Sequence, residues 1–236
     1  MYSNAFCKVY NEFGWNYFPE VFGEQLLTWL KQHQVHAKTS LDLACGTGIL
    51  CEILYKNGIQ ASGMDLSEGM ISIARKNNPN ISYEVADMIT YHPQKRFDLV
   101  TCTGDALNHI IDLQDVEQIF QNVHGYLNEG GYFIFDILSE KEVPKSDPIP
   151  LDFSDTVKAQ FMVTQDQDGL INLRTTVFEN GELSFEENIS ETVHDPNTIC
   201  ELLRRNGFQV LKCADQLLED SDSHGTTCFI IAKATG

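Results

Sequence analysis

From Thr39 to Ile137 short apolar or β-branched runs alternate with stretches of three- and four-residue periodicity, the pattern of β-α-β units around a parallel sheet. Runs at Ser40–Ala44, Ala61–Asp65, Ile81–Val85, Phe97–Cys102 and Tyr132–Ile137 read as strands. Segments near Ile49–Asn57, Glu68–Asn77 and Leu113–Leu127 read as helices. In the last of these, Val116, Ile119, Phe120, Val123 and Leu127 share one face, which predicts packing against the sheet, with Gly130-Gly131 as the helix stop.

The flanks read differently. Met1–Gln34 is crowded with aromatics (Tyr2, Phe6, Tyr10, Phe13, Trp15 among them), more than one amphipathic helix needs, so some are expected to cover a ligand or the sheet edge. Glu140–Pro150 holds three prolines and mixed charges and reads as a linker. Beyond it, Thr156–Thr164, Leu170–Phe178 and Leu183–Val193 show partial period-two alternation around Asp168-Gly169 and Asn180-Gly181, both strong hairpin-turn pairs, so a three-stranded antiparallel meander is predicted. A helix follows, with Asp195 as N-cap, Pro196 in its first turn and Gly207 as its stop. Phe208–Cys213 and Thr226–Lys233 complete the chain as two strands. The expected division is a helical cover and α/β core over residues 1–138, an inserted β unit over 139–194, and a return to the core over 195–236.

At 236 residues the chain is long enough for a full core without disulfide staples. It carries no long apolar run and no basic-then-apolar leader, so neither a membrane span nor a secretory signal is expected and the cytoplasm is the default location. Seven scattered cysteines and seven dispersed histidines offer no short ligand spacing, and no metal site is expected. A formal charge of −18 disfavours a phosphate backbone as partner. Thirteen acidic and only four basic side chains lie between Ser139 and Asp195. Either they form a solvated face or some turn inward, where they would favour cationic or amine ligands.

Candidate chemistry begins at Asp42-Leu43-Ala44-Cys45-Gly46-Thr47-Gly48, a loop between a strand and a helix, where Gly46 and Gly48 let backbone approach a ligand at a helix N-terminus. Asp65, at the end of the next strand, can accept both hydrogen bonds of a ribose diol. A dinucleotide fingerprint would place its third glycine where Cys51 stands, which weakens a nicotinamide reading without removing it.

With these residues in order, the chain resembles the class I S-adenosylmethionine-dependent methyltransferases, in their small-molecule branch, most strongly over residues 37–137. Asp42–Gly48 is similar to the family's first motif and Asp65 to its ribose-binding acid. Ala86-Asp87-Met88 resembles the segment that brackets adenine, and Thr103-Gly104-Asp105-Ala106-Leu107-Asn108-His109 the loop after strand four. The resemblance implies a Rossmann-like, doubly wound seven-stranded sheet whose last strand is antiparallel, with the inserted antiparallel β unit acting as a substrate lid. It implies contacts to S-adenosylmethionine from Tyr10, Asp42, Ala44, Cys45, Gly46, Thr47, Gly48, Asp65, Leu66, Met70, Ala86, Asp87, Met88, Thr103, Gly104 and Asn108, with Asp42 near the methionyl amine.

Methyl transfer from a sulfonium is an in-line displacement with a good leaving group, so alignment and electrostatics carry most of the catalysis. Asp105 and His109 are the candidate catalytic residues, able to orient or deprotonate a nucleophile, and Asp136 ends the neighbouring strand. Cys102 lacks the setting of a nucleophilic RNA-methylating cysteine and reads as a packed strand residue. The expected function is methylation of an N or O atom of a small molecule. A nicotinamide-dependent oxidoreductase and a non-catalytic S-adenosylmethionine binder are the alternatives.

Overall fold

The structure of the protein is a computed structural model that describes residues 2–139, 147–218 and 227–236. Two helices open the chain, α1 (Asn4–Val9) and α2 (Tyr17–Gln32). The core follows as β1 (Thr39–Leu43), α3 (Ile49–Lys56), β2 (Gln60–Asp65), α4 (Glu68–Asn77), β3 (Ser82–Val85), β4 (Phe97–Cys102), a 3-10 turn (Ala106–His109), α5 (Leu113–Tyr126) and β5 (Leu127–Leu138). A second sheet comprises β6 (Ile149–Asp152), β7 (Val157–Gln165), β8 (Ile171–Glu179) and β9 (Glu182–Glu191), after which α6 (Pro196–Arg205), β10 (Phe208–Ala214) and β11 (Thr227–Ala234) return to the core.

The main sheet has seven strands in the order β10-β11-β5-β4-β1-β2-β3. β11 runs antiparallel to both its neighbours, and the other pairs are parallel. Alternation within the strands builds a core on each face. Leu41, Val100, Phe133 and Phe135 pack with Val116, Ile119 and Phe120 of α5 and Ile199 and Leu203 of α6. Leu99, Ile134 and Ile231 pack on the other side with Phe22 and Leu26 of α2 and Leu50 and Leu54 of α3. This is the doubly wound arrangement that the alternating pattern predicts.

Local chemistry explains most of the boundaries. Asp112 and Asp195 accept N–H groups of the first turns of α5 and α6, and Ser67 does so for α4. The Gly130-Gly131 expectation needs correction, because α5 ends at Tyr126 and the chain turns straight into β5. The two glycines lie within the strand, where the β4–β5 register slips between Phe97 and Leu99. Gly130 has φ +73°, and a Cβ on Gly131 would meet the Asn128 carbonyl at 2.9 Å, so the pair forms a bulge that only glycine tolerates here.

The second sheet has four antiparallel strands where the alternation predicts three. Its extra strand, β6, takes in Pro150 at the sheet edge, a position that asks no ladder donor of a proline. Residues 140–146 of the expected linker lie outside the described residues. The hairpin turns form as predicted, with Gly169, Asn180 and Gly181 at positive φ.

One buried side chain stitches the two sheets together. The Asn108 amide, fully buried, donates to the Leu138 and Thr192 carbonyls at 2.9 and 2.7 Å and accepts from the Leu138 N–H at 2.8 Å. Its backbone carbonyl accepts from the Thr192 N–H. His194 Nε2 donates beside it to the carbonyls of Leu107 and Ile110. Among the described residues no helix is long and apolar enough to cross a membrane. Asn108→Ala leaves three buried backbone groups without their side-chain partner, and urea unfolding is expected to show a loss of about 2–4 kcal/mol.

Candidate active site

The strands β1, β2, β4 and β5 end on one side of the sheet, and the loops leaving them converge there, the edge at which open α/β sheets bind ligands. After β1 the chain enters an unusual run of left-handed residues, Ala44 (φ +55°), Gly46 (φ +54°) and Gly48 (φ +83°). The glycines differ in purpose. A Cβ on Gly46 would meet nothing within 4 Å, so its face is open to a ligand. A Cβ on Gly48 would strike the Tyr83 ring and Ala74, so this glycine serves internal packing, a correction to its expected ligand-facing role.

Asp65 lies across from Gly46, and its two carboxylate oxygens accept from Gly46 N–H at 2.9 Å and Ser67 N–H at 2.8 Å. Each oxygen keeps a lone pair for a further donor. Asp42 lies beneath the loop, almost wholly buried. Its carboxylate accepts from the Thr101 hydroxyl at 2.7 Å and is approached by the Cys51 thiol, so the expected reach to a methionyl amine is replaced by internal anchoring. Burial, against the Thr101 bond and with help from Asp65, raises its pKa to about 7. Thr47 is buried too, and its hydroxyl donates to Asn11 of the N-terminal segment. Cys45 is buried, its N–H bonded to the Met64 carbonyl.

On the β2–β3 side, Leu66 is 45% exposed beside Asp65, as suits a residue that would cover a flat ligand. Met70 has no exposed surface and supports the site from within, another correction. Asp87 is partly buried, its carboxylate accepting from Ile89 N–H at 2.9 Å, and Ala86 and Met88 pack against the core beside it.

The loop after β4 is set by Asp136 of β5, whose carboxylate accepts from the N–H groups of Gly104 and Asp105 at 2.8 and 2.9 Å. Asp136 therefore shapes the loop instead of facing an acceptor; burial, and then Asp105, raises its pKa to about 7. Thr103 and Gly104 line the loop, and Asp105 follows in a left-handed conformation (φ +50°). Asn108, expected at the cofactor, has its amide committed to Leu138 and Thr192 and is corrected to a structural clamp.

Tertiary structure adds what the sequence concealed. Glu191, at the end of β9, is buried and lies 3.7 Å from His109 Nε2. Asp105, His109 and Glu191 bring one ligand-type atom each to within 4.8 Å of one another, a grouping able to take a cation that the dispersed spacing gives no cause to expect. Burial, then Asp105, pushes the Glu191 carboxyl up to about 8. Most acids of the second sheet are exposed, but Glu187 is buried as well, accepting from Ser3 N–H, and period two places it on the face of Glu191.

Over this cluster lie Tyr2 and Tyr10, packed with Phe6 and Trp15. Burial raises both phenols, and the charges of Asp105 and Asp65 add to it. The Tyr2 ring meets His109 edge-on at 6.3 Å. A surface depression lined by Leu27, Val35, Ala37 and Ile59 opens elsewhere and shares none of these residues.

The family described as "Methyltransferase domain" matches residues 41–131. A putative methyltransferase of Geobacillus sp. (strain WCH70) is 36% identical over 115 residues, 47% of each chain, so the match spans about half the length of that relative. The crystal structure of an S-adenosylmethionine-dependent methyltransferase from Clostridium acetobutylicum ATCC 824 aligns with TM-score 0.80 and 26% identity over 91% of each chain. Residues 41–131 thus resemble a methyltransferase domain, and over most of its length the chain is similar to an S-adenosylmethionine-dependent methyltransferase. CalS10 of Micromonospora echinaspora, an amino pentose methyltransferase, aligns over all of the chain and 98% of its own with TM-score 0.79, and at 16% identity shares the fold alone. These likenesses agree with the expectation from the glycine loop, and the open face of Gly46 beside Asp65 fits S-adenosylmethionine.

The raised carboxyls have a consequence for stability. An acid whose folded pKa is raised keeps its proton longer in the native state, so its contribution is full below about pH 4 and is lost as pH rises through about 7. Stability measured by urea unfolding is expected to fall between about pH 4 and about pH 7, and Asp42→Asn, which cannot ionise, to flatten that slope.

Proposed function

We propose that the protein transfers the methyl group of S-adenosylmethionine to a nitrogen or oxygen atom of a small molecule. The observation that carries this reading is the open face of Gly46 beside Asp65, with Asp105, His109 and Glu191 gathered where the β4 loop meets the second sheet. Bound there, the cofactor supplies an electrophilic methyl on a sulfonium.

In this reading the Gly46 backbone admits the cofactor, Asp65 takes its ribose hydroxyls, and Asp87 with Met88 takes its adenine. The Asp105–His109 segment then stands at the transferring methyl, where positioning and exclusion of water do most of the work. The second sheet, β6 to β9, serves as the acceptor lid. CalS10, an amino pentose methyltransferase of the same fold, supports a small-molecule acceptor. The location proposed is the cytoplasm, supported by the seven cysteines being free.

Thermal shift with S-adenosylmethionine, S-adenosylhomocysteine, NAD and NADP tests the reading, and stabilisation is expected from the first two. Stabilisation by a nicotinamide alone would overturn it. Asp65→Ala is expected to weaken S-adenosylhomocysteine binding by about tenfold or more, read by calorimetry, and unchanged affinity would show that the ribose lies elsewhere. Tight cofactor binding without labelled methyl transfer to amine or hydroxyl pools would favour a binding module.

A further inference from the structure

The acid cluster where the β4 loop meets the second sheet bears on the acceptor atom, resting on the function proposed above. Glu191 is 4% exposed and Asp105 is half-buried, and among the described residues no hydrogen bond reaches either carboxylate. The nearest cationic candidate is His109, whose Nε2 is 3.7 Å from Glu191 and whose Nδ1 is 3.3 Å from the Ser190 carbonyl. Two neighbouring carboxyl groups largely withdrawn from water, with only the His109 ring as a nearby cation, suit a ligand that brings positive charge and N–H groups. A hydroxyl acceptor brings at most one donor and no charge. A phosphorylated acceptor would be repelled.

We propose that Glu191, with Asp105 beside it, receives the acceptor as an ammonium and removes its proton, so that the methylated atom is nitrogen. The Tyr2 ring, packed against Tyr10, meets His109 beside these carboxyls, and aromatic rings suit a cation because their faces attract one. The groups facing Glu191 are Asp105 and His109 from the β4 side, Tyr2 from the N-terminal segment, and Glu187 on the same face of its own strand. An ammonium has no lone pair and cannot attack. Its proton passes to the Glu191 carboxylate, giving a neutral amine and a carboxylic acid. The amine lone pair then forms the C–N bond as the C–S bond breaks, the electron pair leaving on sulfur as S-adenosylhomocysteine, and the product departs as a methylated ammonium.

The raised Glu191 carboxyl fits this duty. At about 8 it lies within roughly two pH units of an alkylammonium, whereas an ordinary glutamate lies about six below. Burial and the neighbouring Asp105 keep it there, and His109 opposes the shift on Asp105.

The test is labelled methyl transfer by the full chain to matched probes, glucosamine, cyclohexylamine and benzylamine against glucose, cyclohexanol and benzyl alcohol, with S-adenosylhomocysteine affinity measured in parallel. Amine probes are expected to be methylated and the alcohols not. Glu191→Gln is expected to lower amine kcat by about a hundredfold or more while leaving S-adenosylhomocysteine affinity and the melting temperature in place. With cyclohexylamine, an unsubstituted alkylamine, its acid limb in the kcat/KM profile should move toward the amine's own pKa, about 10, which loss of a merely structural contact would not do. Methylation of the alcohols, turnover of no amine by a cofactor-binding enzyme, or amine turnover indifferent to Glu191→Gln would each overturn the proposal and leave the cofactor reading standing. Loss of turnover with EDTA and recovery with Zn²⁺ or Mg²⁺ would overturn it too, by assigning the three side chains to a metal. Failure of S-adenosylhomocysteine to bind the wild-type protein would instead remove the function on which the inference rests.

Discussion

Two carboxylates on strands that border the site organise it, because each accepts a pair of backbone N–H groups from the loops around it. Asp65 ties Gly46 of the glycine loop to Ser67 at the start of α4. Asp136 holds Gly104 and Asp105 of the loop after β4. Loops at the edge of a sheet leave donors unmatched by any ladder, and a buried acceptor near the strand end satisfies two of them at once. The backbone can then adopt left-handed turns at Gly46, Gly104 and Asp105, and those turns decide which atoms face a ligand.

The cost of this arrangement is negative charge withdrawn from water. Asp42 and Asp136 are driven toward the protonated form chiefly by burial, and Glu191 by burial and Asp105. A cluster of reluctant acids at one edge of the sheet suits a positively charged ligand, since the protein supplies little positive charge there. The acidic balance of the chain thus has two components. Most acids of the second sheet are solvated, while Glu187 and Glu191 turn inward.

The N-terminal segment joins the parts. Thr47 bonds Asn11, Cys7 approaches Ser67, Ser3 bonds Glu187, and Phe13 stacks on Phe153 at 4.0 Å. Its aromatics therefore cover the space between the glycine loop and the second sheet, which explains their density better than a single amphipathic helix does. Asn108 and His194 add bonds to backbone that tie the turn after β4 to β5 and to the chain leaving β9.

The sequence by itself determined the alternation of strands and helices, the hairpin turns at Asp168-Gly169 and Asn180-Gly181, the cap at Asp195, and the glycine loop with its partner Asp65. All of these rest on local preferences or on short spacings, which a linear pattern displays directly. Tertiary structure alone decided that Gly48 packs against Tyr83 while Gly46 stays open, that Gly130-Gly131 bulges a strand, and that Asn108 clamps backbone where a cofactor contact was expected. It alone brought Glu191 to Asp105 and His109. Those outcomes depend on which surface each side chain meets after long-range packing, and no spacing along the chain encodes that meeting.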